Sequence, residues 1–507
     1  MVGSTVVASA PLPAAAAGRV PAQFIAKMYS EALGRMPDAG GWAAMVADFS
    51  AHGCSTERIR ERVRAFYTSS EFVQLPYDAQ SRVLTLYRGA LNREPDQNGF
   101  DHHVGLLMTD KRNWSQTVES FAAGDELGSV AKTICGSATY HYGTVPAPTL
   151  TAVGTGFAGG TGQALQSLLD AAPDNSTVYL AQKAVVRLQE TLVIPPGRTL
   201  VTTGAPPVHQ YARQARLVRA GSFSAPMVRV QGGGRLLNVW VDGQRGAPTN
   251  YVGKATNVQV MGGNGTQVSR SKISNSLGWT SLEAFGSYEN FPCQSTMISD
   301  NLVTAYSSDH YGGRLTDGLS VACENATIEG NRIIDATDVG IVVYRSSPAV
   351  QRSSIRANMV LNAGNSAYGA IAFDGLHSQN TTHDFTGASM SANSFWTGPD
   401  AHVEIGLVVG SRSWFGVLSD AGTGAAVRDN STNGLTAVVG TGIAVTGMHR
   451  GTVQGNDLRL SVEPIGRCPH VNFGVDADGH ADDGDYQPGW TKVSFTDSQG
   501  RGCLTAH

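Results

Sequence analysis

The sequence predicts a mainly β protein, a parallel β-helix preceded by a small all-α domain. Three observations support this prediction. A short phrase containing asparagine recurs through the C-terminal two-thirds of the chain, and a second repeated phrase has the alternating apolar pattern of a strand. The N-terminal part is instead rich in charged and helix-forming residues and contains an internal duplication. Repeats of this length indicate one supersecondary unit that buries its apolar face on the next copy.

The asparagine phrase has the form V/I/M-x-x-N followed by an apolar residue, and copies recur every 26 to 37 residues, which is too short for a propeller blade. An earlier copy, VSRSKI, has Ser271 where asparagine is expected. Asparagine tolerates left-handed backbone, and its amide can hydrogen-bond to the coils above and below, so we expect it at a corner of each coil. The copies place it at Asn301, Asn331, Asn358 and Asn393, and more weakly at Asn430 and Asn456.

The composition narrows the range of functions. Of the 507 residues, 60 are glycine and only 15% are charged, which suits many short strands and tight turns. The net charge is −4, with 37 basic and 41 acidic residues, so nothing points to nucleic acid as a partner. No run of 18 apolar residues exists, and we therefore expect no transmembrane helix.

Residues 1–20 are small and apolar but lack the positive and continuous apolar regions of a signal peptide, and we interpret them as a flexible leader. Six cysteines form an even, sparse set. Cys293 with Cys323, and Cys468 with Cys503, are placed to bridge neighbouring segments, which fits secretion, whereas buried free thiols are the alternative. No cysteine or histidine spacing indicates zinc.

Residues 21–135 are predicted to be helical and duplicated. YSEALGRMPDAGGW at 29–42 matches YRGALNREPDQNGF at 87–100 with an offset of 58 residues. Helical spacing stops at the Arg-x-Pro-Asp turn, where proline ends one helix and aspartate caps the next. The shared phrase resembles a bacterial helical domain of unknown function that is related to phycobilisome linkers. This resemblance implies a small helical bundle used for attachment or assembly, and the Arg35–Asp38 and Arg93–Asp96 pairs are interpreted as salt bridges that stabilise the loops.

A linker rich in glycine, alanine, threonine and proline follows at 136–158, with the β-helix expected over 159–465 and a C-terminal cap over 466–507. Segment 161–204 has a short amphipathic helix followed by three strand patterns, and its apolar face is predicted to comprise Ala164, Leu165, Leu168 and Leu169. This order resembles the beginning of the secreted right-handed β-helix proteins of the pectate-lyase-like superfamily. The resemblance implies a right-handed parallel β-helix and a secreted or cell-surface location. It does not specify an activity, because that superfamily contains hydrolases, lyases, epimerases, esterases and phage spikes.

The second repeated phrase, G-[I/L]-x-V, aligns successive coils. It begins at Gly318, Gly340, Gly406 and Gly442, and Ala370 replaces the glycine in one coil. Stacking these strands predicts two columns of inward side chains. The first column contains Leu319, Ile341, Ile371, Leu407 and Ile443, and the second contains Val321, Val343, Phe373, Val409 and Val445.

Two carboxylates fall near the start of these strands on adjacent coils. Asp317 directly precedes Gly318, and Asp338 lies two residues before Gly340. With coils about 4.8 Å apart, the two groups would lie roughly 5–9 Å apart, the range in which paired acids cleave glycosidic bonds. The alternative is that each aspartate is only a turn residue before a glycine. Further polar residues within the same two coils favour a binding groove at this place. Asp309, which is one of them, is a third candidate catalytic residue.

The run LTDGLSVACENATIEGNRIIDATDVGIVV is similar to the polygalacturonase segment in which an N-T-D-G phrase is followed one coil later by a pair of aspartates. By this resemblance Asp317 corresponds to the first acid and Asp338 to the second member of the pair, with Thr337 in place of the other. The glycine-histidine-glycine phrase of that family is missing, and the nearest histidine is His377. The resemblance therefore implies a carboxylate pair rather than polygalacturonase activity.

Side chains around the pair are predicted to bind the substrate through hydrogen bonds, charge or aromatic stacking. They are His310, Tyr311, Arg314, Tyr344, Arg345, Asp374, His377, Trp279 and Trp414. The predicted function is a glycoside hydrolase or an intramolecular transglycosylase that acts on a polysaccharide or oligosaccharide without a cofactor. The alternatives are a polysaccharide lyase, with Arg314 or Arg345 as the base, and a non-catalytic surface or spike protein that binds glycans.

The C-terminal segment DADGHADDGDYQPGW is acidic, and its aspartates could hold Ca²⁺. It lacks EF-hand spacing, so a solvated loop is the preferred interpretation and no metal site is predicted. The resemblance to β-helix proteins also leaves a homotrimer open, since trimers occur among them.

Overall fold

The computed structural model describes residues 19–137, 148–204, 206, 210–286, 293–344, 351–374, 383–416, 422–477 and 483–504. The N-terminal part is helical and the rest is built from parallel strands, so the predicted fold class is confirmed. The protein is a parallel β-helix with a helical N-terminal part. No helix among the described residues is long and apolar enough to cross a membrane.

The N-terminal helices are short and closely connected. They are Ala22–Lys27, continued by the π-helical segment Met28–Leu33, then Ala39–His52, Thr56–Tyr67, Ser70–Gln74, Ala79–Gly89, Gln97–Met108, Trp114–Ala123 and Asp125–Gly136. Further along the chain lie the α-helices Gly162–Ala171 and Arg412–Phe415 and the 3₁₀ turns Tyr211–Arg213 and Pro248–Asn250.

The duplicated phrase forms the same turn twice. Asp38 and Asp96 cap the helices that follow them, and each carboxylate accepts a hydrogen bond of 2.8 Å from the backbone N–H of a glycine three residues on. At Gly41 an added Cβ would lie 2.3 Å from the Tyr29 hydroxyl, so the motif needs glycine where the tyrosine crosses the helix.

The arginine of each turn also binds a glutamate from a second pair of matching segments, FYTSSEF at 66–72 and FAAGDEL at 121–127. Arg35 donates to Glu71 at 2.7 and 2.9 Å, and Arg93 contacts Glu126 at the equivalent place in the second copy. The predicted loop salt bridges are present at 3.1 Å for Arg35–Asp38 and 3.7 Å for Arg93–Asp96.

The central β-helix coils each contribute one strand to each of three parallel ladders, which we call sheets A, B and C, and sheet B ends before the other two. Sheet A contains the first half of Thr177–Leu188, then Thr199–Thr202, Arg235–Leu237, Gln267–Ser269, Met297–Ser299, Thr327–Glu329, Ser354–Arg356, His383–Ser391, Gly422–Arg428, Thr452–Gln454 and Asp485–Tyr486. Sheet B contains Phe157–Thr161, the second half of Thr177–Leu188, then Ala215–Arg219, Val239–Asp242, Lys272–Ser274, Leu302–Thr304, Arg332–Ile334, Met359–Asn362 and Ser394–Thr397.

Sheet C carries the repeated glycine phrase. It contains Leu192–Ile194, Val228–Gln231, Val258–Met261, Thr280–Phe285, Asp317–Val321, Val339–Tyr344, Ala367–Asp374, Val403–Val409, Ala437–Val445, Val471–Asp476 and Thr491–Val493, with Leu460–Val462 beside the Ala437–Val445 strand. Short strands also pair at Gly263–Asn264 with Cys293–Gln294, and at Met448–His449 with Gly422–Arg428.

Both predicted inward columns are confirmed. Leu319, Ile341 and Ile371 pair in register from coil to coil, and the later members of the column continue the series. All ten predicted side chains are buried in the single core that runs through the β-helix. Because one apolar column stacks on the next, each coil covers the open face of its neighbour.

The asparagines form a continuous buried ladder at the corner between sheets A and B. Asn358, for example, accepts hydrogen bonds from the backbone and side-chain amides of Asn331, and its own amide donates to Ile328 O and Asn393 Oδ1 at 2.9 and 3.0 Å. Ser271 begins the ladder by donating its backbone N–H to Asn301, and Gln487 ends it by accepting from Asn456.

The expected reason for asparagine at this corner is only half right. The left-handed residue is the one before it: Asp300, Ala357 and Ala392 have φ values of 55°, 53° and 53°. Glycine takes the same place before Asn331, at a φ of 66°. The asparagine is therefore selected for its ladder of hydrogen bonds, while the preceding residue turns the chain.

The first β-helix coil is covered by helix Gly162–Ala171. Leu165 and Leu169 are buried in the core, as predicted, but Ala164 is exposed and 46% of Leu168 is accessible to solvent. The apolar face is thus narrower than the sequence pattern indicated, because only Leu165 and Leu169 of the four predicted residues reach the core.

All six cysteines are paired. The bridges Cys293–Cys323 and Cys468–Cys503 are those expected from the sequence, so the alternative of free thiols is wrong. A third bridge, Cys54–Cys135, joins the loop before helix Thr56–Tyr67 to helix Asp125–Gly136, and its two cysteines are 81 residues apart.

The helices pack against the outer face of sheet B. Leu302, Ile334, Leu361 and Trp396 of this sheet belong to the same buried apolar cluster as the helical core. Charged groups are also buried at this boundary: Arg216 contacts Glu94 at 3.0 Å and pairs with Asp242. The helical and β parts therefore share one continuous interior.

Candidate functional site

The predicted carboxylates lie where the chain passes from sheet B to sheet C. Leu319 pairs with Ile341, which places Asp317 beside Val339 and Asp338 one residue earlier along the neighbouring coil. Both side chains are partly exposed. The structure therefore places Asp317 and Asp338 on adjacent coils at one corner of the β-helix.

Asp317 is fixed by two hydrogen bonds that it accepts. The backbone N–H of Val339 donates to Oδ1 at 2.9 Å, and the Ser320 hydroxyl donates to Oδ2 at 2.7 Å. The Ser320 hydroxyl also lies 2.9 Å from the Thr280 hydroxyl on the preceding coil. A carboxylate held in this way spans two coils and is oriented before any ligand binds.

Asp338 has a different environment. Burial raises the pKa of its carboxyl group from 3.8 to about 6, and the nearby His310 opposes this shift. Near neutral pH the group therefore exists in both protonation states, as a general acid or base must. The raised pKa follows from the desolvation of a carboxylate beside buried aromatic and aliphatic side chains.

His310 is buried between Asp338 and a glutamate that sequence reasoning did not select, Glu404. Its Nδ1 lies 3.0 Å from the Thr337 carbonyl oxygen, which can only accept, so Nδ1 carries a proton. Its Nε2 lies 3.4 Å from Glu404 Oε1. The two buried side chains are therefore in contact next to Asp338.

Glu404 occupies the same place in its coil as Asp338. Val339, Gly369 and Ile405 pair in succession, so the residues before them, Asp338, Tyr368 and Glu404, are stacked on three successive coils. The sequence contained a signal for this, because Glu404 also lies two residues before the glycine of its strand phrase.

Two aromatic residues and a second histidine enclose this cluster. Burial and the charges of Glu404 and Asp338 raise the pKa of Tyr368 to about 12, and its ring lies 4.4 Å from that of His310. Tyr311 is 75% exposed, and its hydroxyl lies 3.2 Å from His402 Nε2. Burial and the neighbouring His310 lower the pKa of His402. His402 was not predicted either.

Asp309 and Arg314 mainly shape the loop that carries His310. Asp309 accepts a 3.0 Å hydrogen bond from the backbone N–H of Gly312, and its own backbone pairs with that of Arg314.

Arg245, which was not predicted, lies buried beneath this loop. It donates to the Thr316 hydroxyl at 2.8 Å and to the Arg314 carbonyl oxygen at 2.9 Å, and burial lowers its pKa to about 10.

Trp279 lies on the coil before Asp317 and is 43% exposed. Its indole N–H is 3.3 Å from Glu283, a buried carboxyl group whose pKa is raised by desolvation. The Trp279 carbonyl oxygen accepts the backbone N–H of Asp317 at 2.7 Å. Burial raises the pKa of Tyr251, and the charges of Asp338 and Asp317 contribute to the rise, so Tyr251 also lies near the two carboxylates.

Comparison with solved structures gives several proteins of low similarity. The catalytic domain of a GH87 α-1,3-glucanase is 10% identical over 69% of this chain and 71% of its own, with a TM-score of 0.37. An endo-xylogalacturonan hydrolase from Aspergillus tubingensis is 12% identical over 66% of this chain and 95% of its own, with a TM-score of 0.37. PfbA, a surface adhesin of Streptococcus pneumoniae, is 11% identical over 59% and 86%, with a TM-score of 0.34.

The sequence matches no protein family, and no curated protein matches it significantly. Similarity at this level says nothing about any reaction of this protein. Its function can therefore be proposed only from the residues of the site.

The remaining predicted residues are placed differently. Trp414 and Tyr344 are half-buried and pack against an apolar cluster on the outside of sheet C. Arg345 and His377 lie outside the described residues. The backbone of Asp374 pairs with that of Tyr344, as expected, but its side chain is not described.

The acidic C-terminal segment shows local contacts in its described part. Asp476 lies 3.7 Å from Arg412, and Asp483 accepts a 2.8 Å hydrogen bond from the backbone N–H of Arg450. Within the described ranges, no group of three or more potential metal ligands is found. Asp478 and Asp482 fall outside those ranges.

Proposed function

We propose that this protein is a secreted carbohydrate-active enzyme that cleaves glycosidic bonds with Asp317 and Asp338. The observation that carries the proposal is the unequal environment of two carboxyl groups on adjacent coils. Burial raises the pKa of Asp338 to about 6, whereas Asp317 accepts two hydrogen bonds in the way an ionised carboxylate does. Glycosidases use two carboxyl groups with different pKa values, so that one acts as the acid and the other as the base or nucleophile.

In the proposed reaction, protonated Asp338 gives its proton to the glycosidic oxygen as the bond to the anomeric carbon breaks. Asp317 either takes a proton from the attacking water or attacks the anomeric carbon itself, to form an ester that water then hydrolyses. In both cases one water is consumed and one reducing end appears. A sugar hydroxyl in place of water gives transglycosylation.

The surrounding residues have defined roles in this proposal. His310, which contacts Glu404, opposes the rise in the pKa of Asp338 that burial causes, and is a positioning residue. Exposed Trp279 offers an apolar ring face to the C–H face of a sugar, and Tyr311 offers a hydroxyl at the rim. The three disulfide bonds support a secreted location, since such bonds persist in oxidising compartments.

The test is a panel of neutral and acidic glycans with reducing ends and ultraviolet absorbance measured in parallel. We expect reducing ends without an unsaturated product, and a loss of at least 100-fold in Asp317→Asn and in Asp338→Asn. Asp300→Asn is the matched control, because Asp300 is a partly exposed aspartate at a left-handed corner that asparagine also tolerates.

Three other outcomes would contradict the proposal. Unsaturated product would indicate a lyase. Activity that survives in both variants would move the reaction to other residues. Saturable binding of a glycan without any product would indicate a non-catalytic surface protein.

A further inference from the structure

The second copy of the helical repeat, residues 87–127, contains a cavity with a volume of about 170 Å³. None of the residues assigned to the candidate site in the β-helix lines it. Its walls combine apolar side chains with polar groups from neighbouring helices. The apolar ones include Tyr87, Leu91 and Phe121, and the polar ones include His103, Arg112 and Ser120. A cavity of this size accommodates a group as large as a benzene ring.

Both copies of the repeat share the framework around the cavity. The Tyr87 ring lies 5.0 Å from the Phe121 ring, and in the first copy the Tyr29 and Phe66 rings are the same distance apart. In each copy the guanidinium carbon of the turn arginine lies 4.9 Å from the centre of the tyrosine ring. The two copies can therefore be compared position by position within one chain.

The second copy differs from the first at residues that line the cavity. With the offset of 58 residues, His103 occupies the place of Met45, whose side chain packs against the apolar core of the helical part. Ser120 precedes the shared phenylalanine, where the first copy has Ala65. Polar side chains thus replace two apolar ones, an exchange that costs free energy unless the polar groups find partners.

The polar groups of the cavity have few partners within the protein. Among the described residues, no carboxylate forms an ion pair with Arg112, whose only side-chain hydrogen bond goes to the Ser120 hydroxyl at 3.2 Å. The Nδ1 atom of His103 is buried and makes no hydrogen bond to the described residues. Desolvation lowers the pKa of His103 to about 4, to which His102 and Arg112 contribute and which Asp96 opposes. The imidazole is therefore neutral at pH 7, and such a ring donates from Nδ1 when its proton lies on that nitrogen.

The carboxylate in the wall of the cavity is already paired. Glu126 accepts two hydrogen bonds from Arg93, one of them 3.0 Å long. Gly124, which also lines the cavity, occupies the place of the capping Ser69, so no side chain caps helix Asp125–Gly136. The cavity thus combines apolar rings with an arginine that has no carboxylate partner. A carboxylate carried on a small apolar or ring-shaped body complements this arrangement.

We propose that this cavity is a second binding site, which takes a small carboxylate whose charge pairs with Arg112 and whose body packs on Phe121 and Leu91. Nδ1 of His103 donates a hydrogen bond to the bound group. Two kinds of ligand share this chemistry: a free organic acid, and a uronate unit of an acidic glycan. With a uronate, the helical part is a glycan-binding module attached to the β-helix. The site does not depend on the reaction proposed for Asp317 and Asp338.

Calorimetric titration of the full chain at pH 7 gives the test. The probes are benzoate and glucuronate, with benzyl alcohol and glucose as their neutral counterparts. We expect at least one of the acids to bind, and its neutral counterpart to bind more weakly by about 10-fold or more. Binding of glucuronate identifies a uronate as the ligand, and binding of benzoate alone identifies a free acid. No heat with either acid at millimolar concentration, or equal binding of an acid and its neutral counterpart, would overturn the proposal.

Two variants test whether binding takes place in this cavity. Arg112→Gln removes the charge and should weaken binding of the acid about 10-fold or more. His103→Met copies the first repeat, and we expect it to fill the cavity and abolish binding. Arg62→Gln is the matched control, because this partly exposed arginine pairs with Asp48 and does not line the cavity. Unchanged binding in Arg112→Gln, with folding verified by circular dichroism, would overturn the proposal, and this variant decides if His103→Met does not fold.

Discussion

Both carboxylate oxygens of Glu31, in the helical part, lie 2.6–2.7 Å from the ammonium nitrogen of Lys272, in sheet B. Lys272 is buried, its ammonium group lies 4.2 Å from the Trp240 ring, and desolvation lowers its pKa while Glu31 raises it. A buried charge is tolerated only when it is paired. The N-terminal helices are thus required to satisfy charges that belong to the β-helix.

Glu31→Gln should therefore be strongly destabilising. The substitution leaves the Lys272 ammonium group buried without its carboxylate, at a cost of about 3–5 kcal/mol in the free energy of unfolding. The control is Glu71→Gln, which removes the partly exposed Arg35–Glu71 pair and should cost about 1 kcal/mol or less. Chemical denaturation of both variants measures the difference, and equal losses would show that the pair at the boundary is not desolvated in solution.

Removing residues 1–150 tests whether the β-helix folds alone. If the helical part and the β-helix are independent domains, as the sequence predicts, the truncated protein should be soluble. The structure favours the opposite result, because the deletion uncovers Leu302, Leu361 and Trp396 and leaves Arg216 without Glu94. We expect aggregation, or unfolding at a much lower temperature, in circular dichroism. A truncated protein with the Tm of the full chain would contradict the role assigned to this interface.

Asp338 should link activity and stability to pH. Its pKa is raised in the folded protein, so its contribution to stability is fully present below pH 3.8 and is lost as the pH rises through about 6. Asp338→Asn should consequently raise the free energy of unfolding relative to wild type at pH 7.5, by an amount on the order of 3 kcal/mol, and have little effect near pH 3.5. Wild-type activity should fall above pH 6. A difference in stability between Asp338→Asn and wild type that is the same at both pH values would mean that the carboxyl group is not buried.

Glu404→Gln tests the contact between Glu404 and His310. The substitution replaces the buried carboxyl group 3.4 Å from His310 Nε2 by an amide of the same shape, so the electrostatic environment of Asp338 changes and the alkaline limb of kcat against pH should shift, with kcat reduced about 10-fold or more. Glu329→Gln, at an exposed pair with Arg356, is the control and should leave the pH profile unchanged. An altered KM with an unchanged pH profile would assign Glu404 to structure or binding only.

Asn358→Ala should disrupt the ladder at its centre. The substitution removes four hydrogen bonds and leaves buried backbone groups of Asn331 and Ile328 without partners, so we expect a loss of about 3–5 kcal/mol. Asn472→Ala, at an exposed position on sheet C, should change stability by roughly 0.5 kcal/mol or less. Urea denaturation of both variants gives the comparison, and similar losses would mean that the ladder contributes little.

The repeated and local features were predictable from the sequence. Examples are the inward column that contains Leu319 and Ile341, the asparagine ladder from Asn301 onward and the helix cap at Asp38. All three depend on residues at regular spacing in adjacent units. Regular spacing fixes which side chains face inward, because a strand alternates its faces and each coil copies the last. The two β-helix disulfides followed from the same stacking.

Other features depend on contacts between residues that are far apart in the chain. Nothing near Glu404 indicates that His310 will lie against it, 94 positions earlier in the sequence. The pairing of Glu31 with Lys272 and the covering of Val342 by Leu504 are of the same kind. The sequence determined the β-helix, its register and the pair Asp317 and Asp338 on adjacent coils. Only the tertiary structure decided which charges are buried and which distant side chains contact each other, because desolvation depends on everything that packs around a group.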